Sequence, residues 1–226
     1  MALAVPTATR HRTKQEFVYR TLRDAITRCE VEPGQRLVID DLARTLEVSA
    51  IPVREALQLL QSEGLVVNVP HVGATVAPIS HEAVDEVFSI MEGLETVATR
   101  CAARRMTDAD ADSLAEIVTA MDRALEEERY EAWADLNSQF HLTISRLSAM
   151  PMLQDMTERI LSRWDRIRRY YFNGVLLPRI EQAQGEHQQI LAAMRARDLA
   201  RLESLVKEHN QGALQAYSEY LSRAPA

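Results

Sequence analysis

The chain has only two cysteines in 226 residues, Cys29 and Cys101. They lie far apart with no ligand-like spacing around either, which excludes a disulfide framework and a zinc finger and leaves buried structural thiols as the expectation. No apolar run approaches the ~20 residues that span a bilayer. The opening "MALAVPTATRHRTK" has neither the basic start nor the long apolar centre of a secretory signal, so a cytoplasmic protein without membrane contact is expected. Glycine (7) and proline (8) are scarce, while 46% of residues are apolar and 26% charged, a balance that points to a folded, helix-rich chain. Also missing are an HExxH helix, a nucleophile elbow and a glycine-rich phosphate loop, the usual signatures of metal hydrolases, serine hydrolases and nucleotide enzymes.

An excess of basic charge is lacking too, since the net charge is -7. Its distribution is more informative than its sum. Residues 1–79 hold nine Lys or Arg and nine Asp or Glu, so the acidic excess lies entirely in the remainder. Arg10, Arg12, Lys14, Arg20, Arg23 and Arg28 crowd the N-terminal tail and first helix, giving the local basic surface that phosphate contact requires. The length suits two modest domains, each with its own core, and the organisation below divides them at 10–79 and 80–222.

In the first part, residues 13–29 read as a helix with Phe17, Leu22, Ala25 and Ile26 near one side, ended by the Pro-Gly turn of "EPGQR". "IDDLARTLEVS" offers a short helix with an acidic start and inward Leu42, Ala43 and Leu46. The stretch "VSAIPVREALQLLQSEGLV" then supplies its companion. Ser49 is a good N-cap, and Pro52 falls in the first turn, where a missing N–H costs little. Val53, Ala56, Leu57 and Leu60 recur at i, i+3, i+4 and i+7 and must pack, leaving Ala50, Ile51, Arg54, Glu55, Gln58 and Gln61 on the outward or entering side. "LVVNV" and "ATVAPI" pair as short strands around "PHVG". The order is that of a winged helix-turn-helix, although two amphipathic helices and a hairpin also occur in domains that never meet DNA.

The literal strings "LRDAITRCEVEPGQRL", "DLARTLEVS", "PVREALQLLQSEGLV" and "HVGATV" resemble the DNA-binding domain of the GntR family of bacterial transcription regulators over about 65 residues. The resemblance implies that the second helix enters the major groove of double-stranded DNA and the wing tip the minor groove. By position, Arg54 matches the family's arginine near the start of the recognition helix, Ser49 caps that helix, His71 and Gly73 form the wing tip, and Arg36 in "PGQRL" is a candidate phosphate contact. The planar fork of arginine bonds guanine or phosphate bidentately. Ala50 and Ile51 stand where the family usually shows arginine and threonine, Val72 where the wing often carries arginine, and Glu47 where a turn glycine is usual. A changed operator sequence or lower affinity follows.

Beyond residue 80 the pattern is helical almost throughout, with helices expected near 80–105, 107–128, 130–148, 151–173, 177–196 and 198–222. The expected fold is mainly α, a winged helix-turn-helix followed by an antiparallel six-helix bundle. Three histidines fall in its apolar stripes. His141 is beside Phe140 and one turn before Ile144; His187 precedes Ile190, Leu191 and Met194; His209 follows Leu202, Leu205 and Val206. A single buried histidine is usually a core residue with satisfied hydrogen bonds, whereas one metal ion would satisfy three together. Asn137, one turn before His141, adds an oxygen on the same face.

"NSQFH" and "GEHQQILAAMRARDLARLESLVKEH" resemble the ligand-binding FCD domain of the FadR-type subfamily across roughly residues 80–220. The resemblance implies a divalent metal, Zn or Ni, held at Asn137, His141, His187 and His209, with an open position for a small organic acid effector. Asparagine stands where aspartate is usual, which removes a negative charge from the site. Arg163, bordering the stripe of Ile160 and Ile167, is the candidate partner for the effector's carboxylate. Met91 occupies the place, four residues before Glu95, where the family often has an arginine.

The expected function is a homodimeric transcription regulator, more often a repressor in this family, on a near-palindromic operator. A metal-dependent enzyme using the three-histidine site is the alternative, and a DNA-binding protein with a purely structural metal is a third reading.

Overall fold

The computed structural model describes residues 13–223, so Arg10, His11 and Arg12 of the basic tail lie outside them. The chain divides into two compact units between Ser80 and His81.

The first unit begins with α1 (Lys14–Thr27), whose N-cap Thr13 accepts a hydrogen bond from the Glu16 N–H through its side chain. Val18, Leu22, Ala25 and Ile26 form its buried face and pack with Val53, Ala56, Leu57 and Leu60 of α3 (Ala50–Ser62). Between them lies α2 (Ile39–Thr45), with Leu42 buried. The hydroxyl of Tyr19 donates to Glu63, tying α1 to the end of α3. Strands β1 (Val66–Val69) and β2 (Gly73–Val76) pair antiparallel, with Val69 opposite Gly73. Arg36 adds a third extended segment through its bridge to Thr75, flanked by bonds from Leu37 N–H to the Ala74 carbonyl and from Val76 N–H to the Gln35 carbonyl.

The second unit is a bundle of six helices: α4 (His81–Arg105), α5 (Asp108–Glu126), α6 (Tyr130–Leu147), α7 (Pro151–Tyr170), α8 (Leu177–Ala196) and α9 (Leu199–Arg223). Central α4 packs on α9, α6 and α7, and α5 lies against α6 and α8. Thr107 and Asp110 close a reciprocal capping box at the start of α5. The sequence pattern ends the fourth bundle helix at 173, whereas the backbone passes from α7 into a π-helical segment, Phe172–Leu176, that runs directly into α8. A wider turn is invisible to a 3.6-residue period. Gly174 fits there because a Cβ would come within 2.4 Å of the Tyr220 ring.

The scarcity of glycine leaves its mark on the turns. Among the described residues Cys29, Glu47, His71, Glu128, Ala149 and Arg197 adopt positive φ without being glycine. Glu47 is the turn residue between α2 and α3, at φ 54°, with the following Val48 N–H bonded to the Ala43 carbonyl. The left-handed geometry is therefore kept where the glycine is not. An L-residue there costs roughly 1–2 kcal/mol, partly offset by the greater freedom glycine has when unfolded. Glu47→Gly is accordingly expected to raise stability by up to about 1 kcal/mol. Urea unfolding reads this as a higher midpoint at unchanged slope. The cysteines differ from expectation: Cys29 and Cys101 form no disulfide and are both half-buried, not fully enclosed.

Candidate functional site

Two surfaces carry chemistry. The first is the outer face of α3, where the packing of Val53, Ala56, Leu57 and Leu60 turns Ile51, Arg54, Glu55, Gln58 and Gln61 to solvent. Ala50 is half-buried and Ile51 is 68% exposed. Ser49 occupies the N-cap with extended backbone, but its side chain makes no capping bond and the residue is exposed. In the wing, Pro70 and His71 lie between the strands, with His71 at φ 63° and Val72 N–H bonded to the Val69 carbonyl. Proline followed by a positive-φ residue is the pattern of a type II turn, and Gly73 continues it at φ 96°. His71, Val72 and Arg36 are exposed.

The second is buried in the helical unit. His141 on α6, His187 on α8 and His209 on α9 bring one ligand nitrogen each to within 4.8 Å of one another. Ring centroids are 4.7 Å apart for His187 and His209 and 5.3 Å for His141 and His187. Around a common ion at a bond length of about 2.1 Å, tetrahedral nitrogens sit about 3.4 Å apart, so adjustments of the order of 1 Å complete the geometry. His187 is fully enclosed, and neither of its ring nitrogens has a hydrogen-bond partner among the described residues. Burial first, then His209, His141 and Arg179, push its pKa well below the ordinary value. Burial also lowers that of His209, against the opposing pull of Glu186. Both imidazoles are therefore neutral at pH 7, the form that ligates a metal.

Carboxylates stand behind the other two rings. Glu186 lies 2.6 Å from His209 Nδ1 and holds Arg179 at 2.7 Å. Glu95 Oε1 lies 2.9 Å from His141 Nδ1, a short approach whose alignment falls below that of a full hydrogen bond. Its other oxygen accepts from Asn210 at 2.7 Å. Burial alone would raise the Glu95 carboxyl, but His141, His209 and Asn210 outweigh it and hold it below the ordinary range. A carboxylate on one ring nitrogen orients the imidazole and leaves Nε2 for a metal. The donor set therefore fits a divalent ion: three imidazoles, two of them carboxylate-backed and one otherwise orphaned.

A cavity of about 40 Å³ adjoins the histidines. His141, His209 and the buried Asn137 line it, together with a largely apolar wall that includes Phe88, Met91 and Trp164. Arg163, the sequence candidate for a carboxylate partner, is exposed on α7, and the arginine on the cavity wall is Arg179. In the same run of arginines Arg168 is the fully enclosed one, gripped by Asp165 and Asp135 at 2.6 and 2.7 Å. A one-position difference on the helix wheel turns Arg163 outward from the stripe of Ile160, Trp164 and Ile167.

Glu95, Glu186, Arg179 and Tyr217 are site residues that sequence reasoning missed. Glu95 did carry a signal, since Met91, Ala98 and Ala102 place it in an apolar stripe at i-4, i+3 and i+7. Arg179 precedes Ala183 and Glu186 at i+4 and i+7, on the face that also bears His187.

No helix among the described residues is long and apolar enough to cross a membrane. Residues 14–76 match the family of bacterial regulatory proteins termed the gntR family, and residues 86–212 match the FCD domain. The chain is 30% identical to the HTH-type transcriptional regulator McbR of Escherichia coli K12 over 168 residues, 74% of this chain and 76% of that one. It is 28% identical to the HTH-type transcriptional repressor RspR of the same organism over 194 residues, 86% of this chain and 84% of that one. The solved structure of E. coli McbR/YncC superposes with a TM-score of 0.73 at 26% identity, covering 93% of this chain and all of that one. These relatives are regulators, which sets aside the metal-enzyme alternative. A gntR-type winged helix that binds DNA, followed by an FCD domain, makes this chain a transcription regulator of the bacterial gntR family, in its FadR-type, FCD-bearing branch.

Proposed function

We propose that residues 80–222 sense a small organic acid through a divalent metal centre and that this changes how tightly the winged helix of residues 10–79 holds its operator. The supporting observation is the histidine triad, above all His187, whose two nitrogens are buried with nothing to bond. An unsatisfied buried polar group costs roughly 1–3 kcal/mol, and His187, His141 and His209 together would hold a Zn or Ni ion that removes that cost. Asn137 contributes at most a neutral oxygen, and the negative charge it lacks is supplied one step back by Glu95 and Glu186. His141, His209 and Asn137 line the cavity, so a metal held by the histidines would leave room there for an effector carboxylate.

On the DNA side Arg54 reads base edges from the start of the recognition helix, with Ser49 and Arg36 on phosphates and His71 and Gly73 at the minor groove. Ile51 offers an apolar contact to a thymine methyl in place of the hydrogen bonds of a polar residue. A homodimer acting in the cytoplasm places two such helices one turn of DNA apart, so the operator is near-palindromic. Repression is the mode we favour, because the relative RspR is a transcriptional repressor.

Metal content decides the core of this reading. Elemental analysis after dialysis against metal-free buffer and incubation with Zn or Ni is expected to give about one equivalent per chain, lost in His187→Ala. A chain that takes up no metal contradicts it.

A further inference from the structure

The outer face of α3 contains one side chain unlike its neighbours. Ile51 lies nearly opposite the packing stripe of Val53, Ala56, Leu57 and Leu60, and the row it heads, Glu55, Gln58 and Ser62 at i+4, i+7 and i+11, is otherwise polar and exposed. At 68% it is the most exposed large apolar residue among the described residues of the first unit, ahead of Leu59 at 42%. A lone apolar residue on a protein surface is ordinary. This one stands in the first turn of α3, the part of a recognition helix that meets base edges, directly after the small, half-buried Ala50.

We infer that Ile51 reads the C5 methyl group of a pyrimidine in the major groove, so that operator binding depends on whether that carbon is methylated. The inference rests on the reading of α3 as the helix that enters the major groove, and deepens it. Isoleucine has neither a donor nor an acceptor, so it cannot tell the O4 of thymine from the N4 amino group of cytosine. The one feature it can bind is the methyl group that thymine and 5-methylcytosine share and that uracil and cytosine lack. For this contact the two methylated bases are equivalent.

The geometry of the helix suits such a reader. Branching at Cβ holds isoleucine in one strongly preferred rotamer on a helix, so little freedom is lost on docking. Arg54 follows at i+3, where Cβ atoms lie about 5–6 Å apart, against a base step of about 3.4 Å. The methylated pyrimidine therefore falls within two steps of the base that Arg54 contacts. One methyl group removed from water is worth roughly a factor of four in affinity, and two half-sites together about 15-fold.

Anisotropy titration of the full chain with the duplex that the wild type selects from a random library tests the contact, each thymine being replaced in turn, in both half-sites, by deoxyuridine. The wild type is expected to lose about 15-fold at one symmetric pair of positions, and Ile51→Ala less than about twofold there. Ile51 faces solvent, so the variant melts as the wild type does. With a cytosine–guanine pair placed at those positions, C5 methylation is expected to tighten wild-type binding by a similar factor and to leave Ile51→Ala unmoved. Uracil tolerated at every position overturns the inference, and so does a uracil effect that Ile51→Ala retains. Either result combined with weaker binding by Arg54→Ala leaves the groove reading standing, whereas full affinity in both variants overturns the two together. A methyl response that depends on Ile51 while Arg54→Ala binds normally supports the inference and contradicts the role given to Arg54.

Discussion

Arg54→Ala is expected to weaken binding to a duplex selected by the wild-type protein from a random library by roughly 10- to 100-fold, without changing the melting temperature. One bidentate arginine contact to a base is worth about 1–3 kcal/mol of discrimination, and 1.4 kcal/mol is a factor of ten. The loss falls near the upper end because Ala50 and Ile51 provide no polar side chains beside it, so few other groups read the groove. Stability is unaffected because Arg54 points away from the face that packs on α1. Arg36→Ala is expected to act differently: a phosphate contact carries no sequence information, so affinity falls for all duplexes alike and the salt dependence flattens by about one unit of slope. Anisotropy titrations at several salt concentrations separate the two.

Metal removal is expected to have the largest effect on stability. A ligand that binds only the folded state, present at a hundred times its dissociation constant, stabilises by about 2.7 kcal/mol. For a chain of this size each kcal/mol moves the midpoint by about 2–4 °C, so adding Zn to the metal-free protein raises the melting temperature by roughly 5–10 °C. His187→Ala abolishes that response. The variant also loses a fully enclosed imidazole from between Trp133 and Phe140, whose rings lie 5.9 and 5.2 Å away. Its metal-free form therefore melts no higher than metal-free wild type. The diagnostic quantity is the shift on adding Zn, not the absolute midpoint.

What the sequence made visible was periodicity. Val53, Ala56, Leu57 and Leu60 are buried and Ile51, Arg54, Glu55, Gln58 and Gln61 exposed, as the i, i+3, i+4, i+7 spacing requires. The same spacing turned His141, His187 and His209 inward on three separate helices. What it could not supply was pairing between helices. Glu95 meets His141 46 positions away and Glu186 meets His209 23 away, and no local pattern distinguishes a glutamate waiting for such a partner from one facing water. Arg163 and Arg179 show the same limit. Both border apolar stripes, and only the packing of α8 on α9 decides that Arg179 reaches the cavity. The π-helical turn before it was equally hidden, although it helps set where Arg179 falls on its helix.

Regulation requires that the helical unit and the DNA-binding unit be thermodynamically linked: the acid must bind one state of the protein more tightly than another, and the DNA must do the same. The most direct measurement is the affinity of the Zn-incubated full chain for its selected duplex with and without saturating short carboxylic acid, repeated with His187→Ala. A change of 5-fold or more in the wild type, corresponding to a coupling of about 1 kcal/mol or above, and no change in the variant, is the result expected here. Equal affinity with and without the acid, in a protein that demonstrably binds both Zn and the acid, would contradict the sensing function and leave the metal as a structural part of a DNA-binding protein.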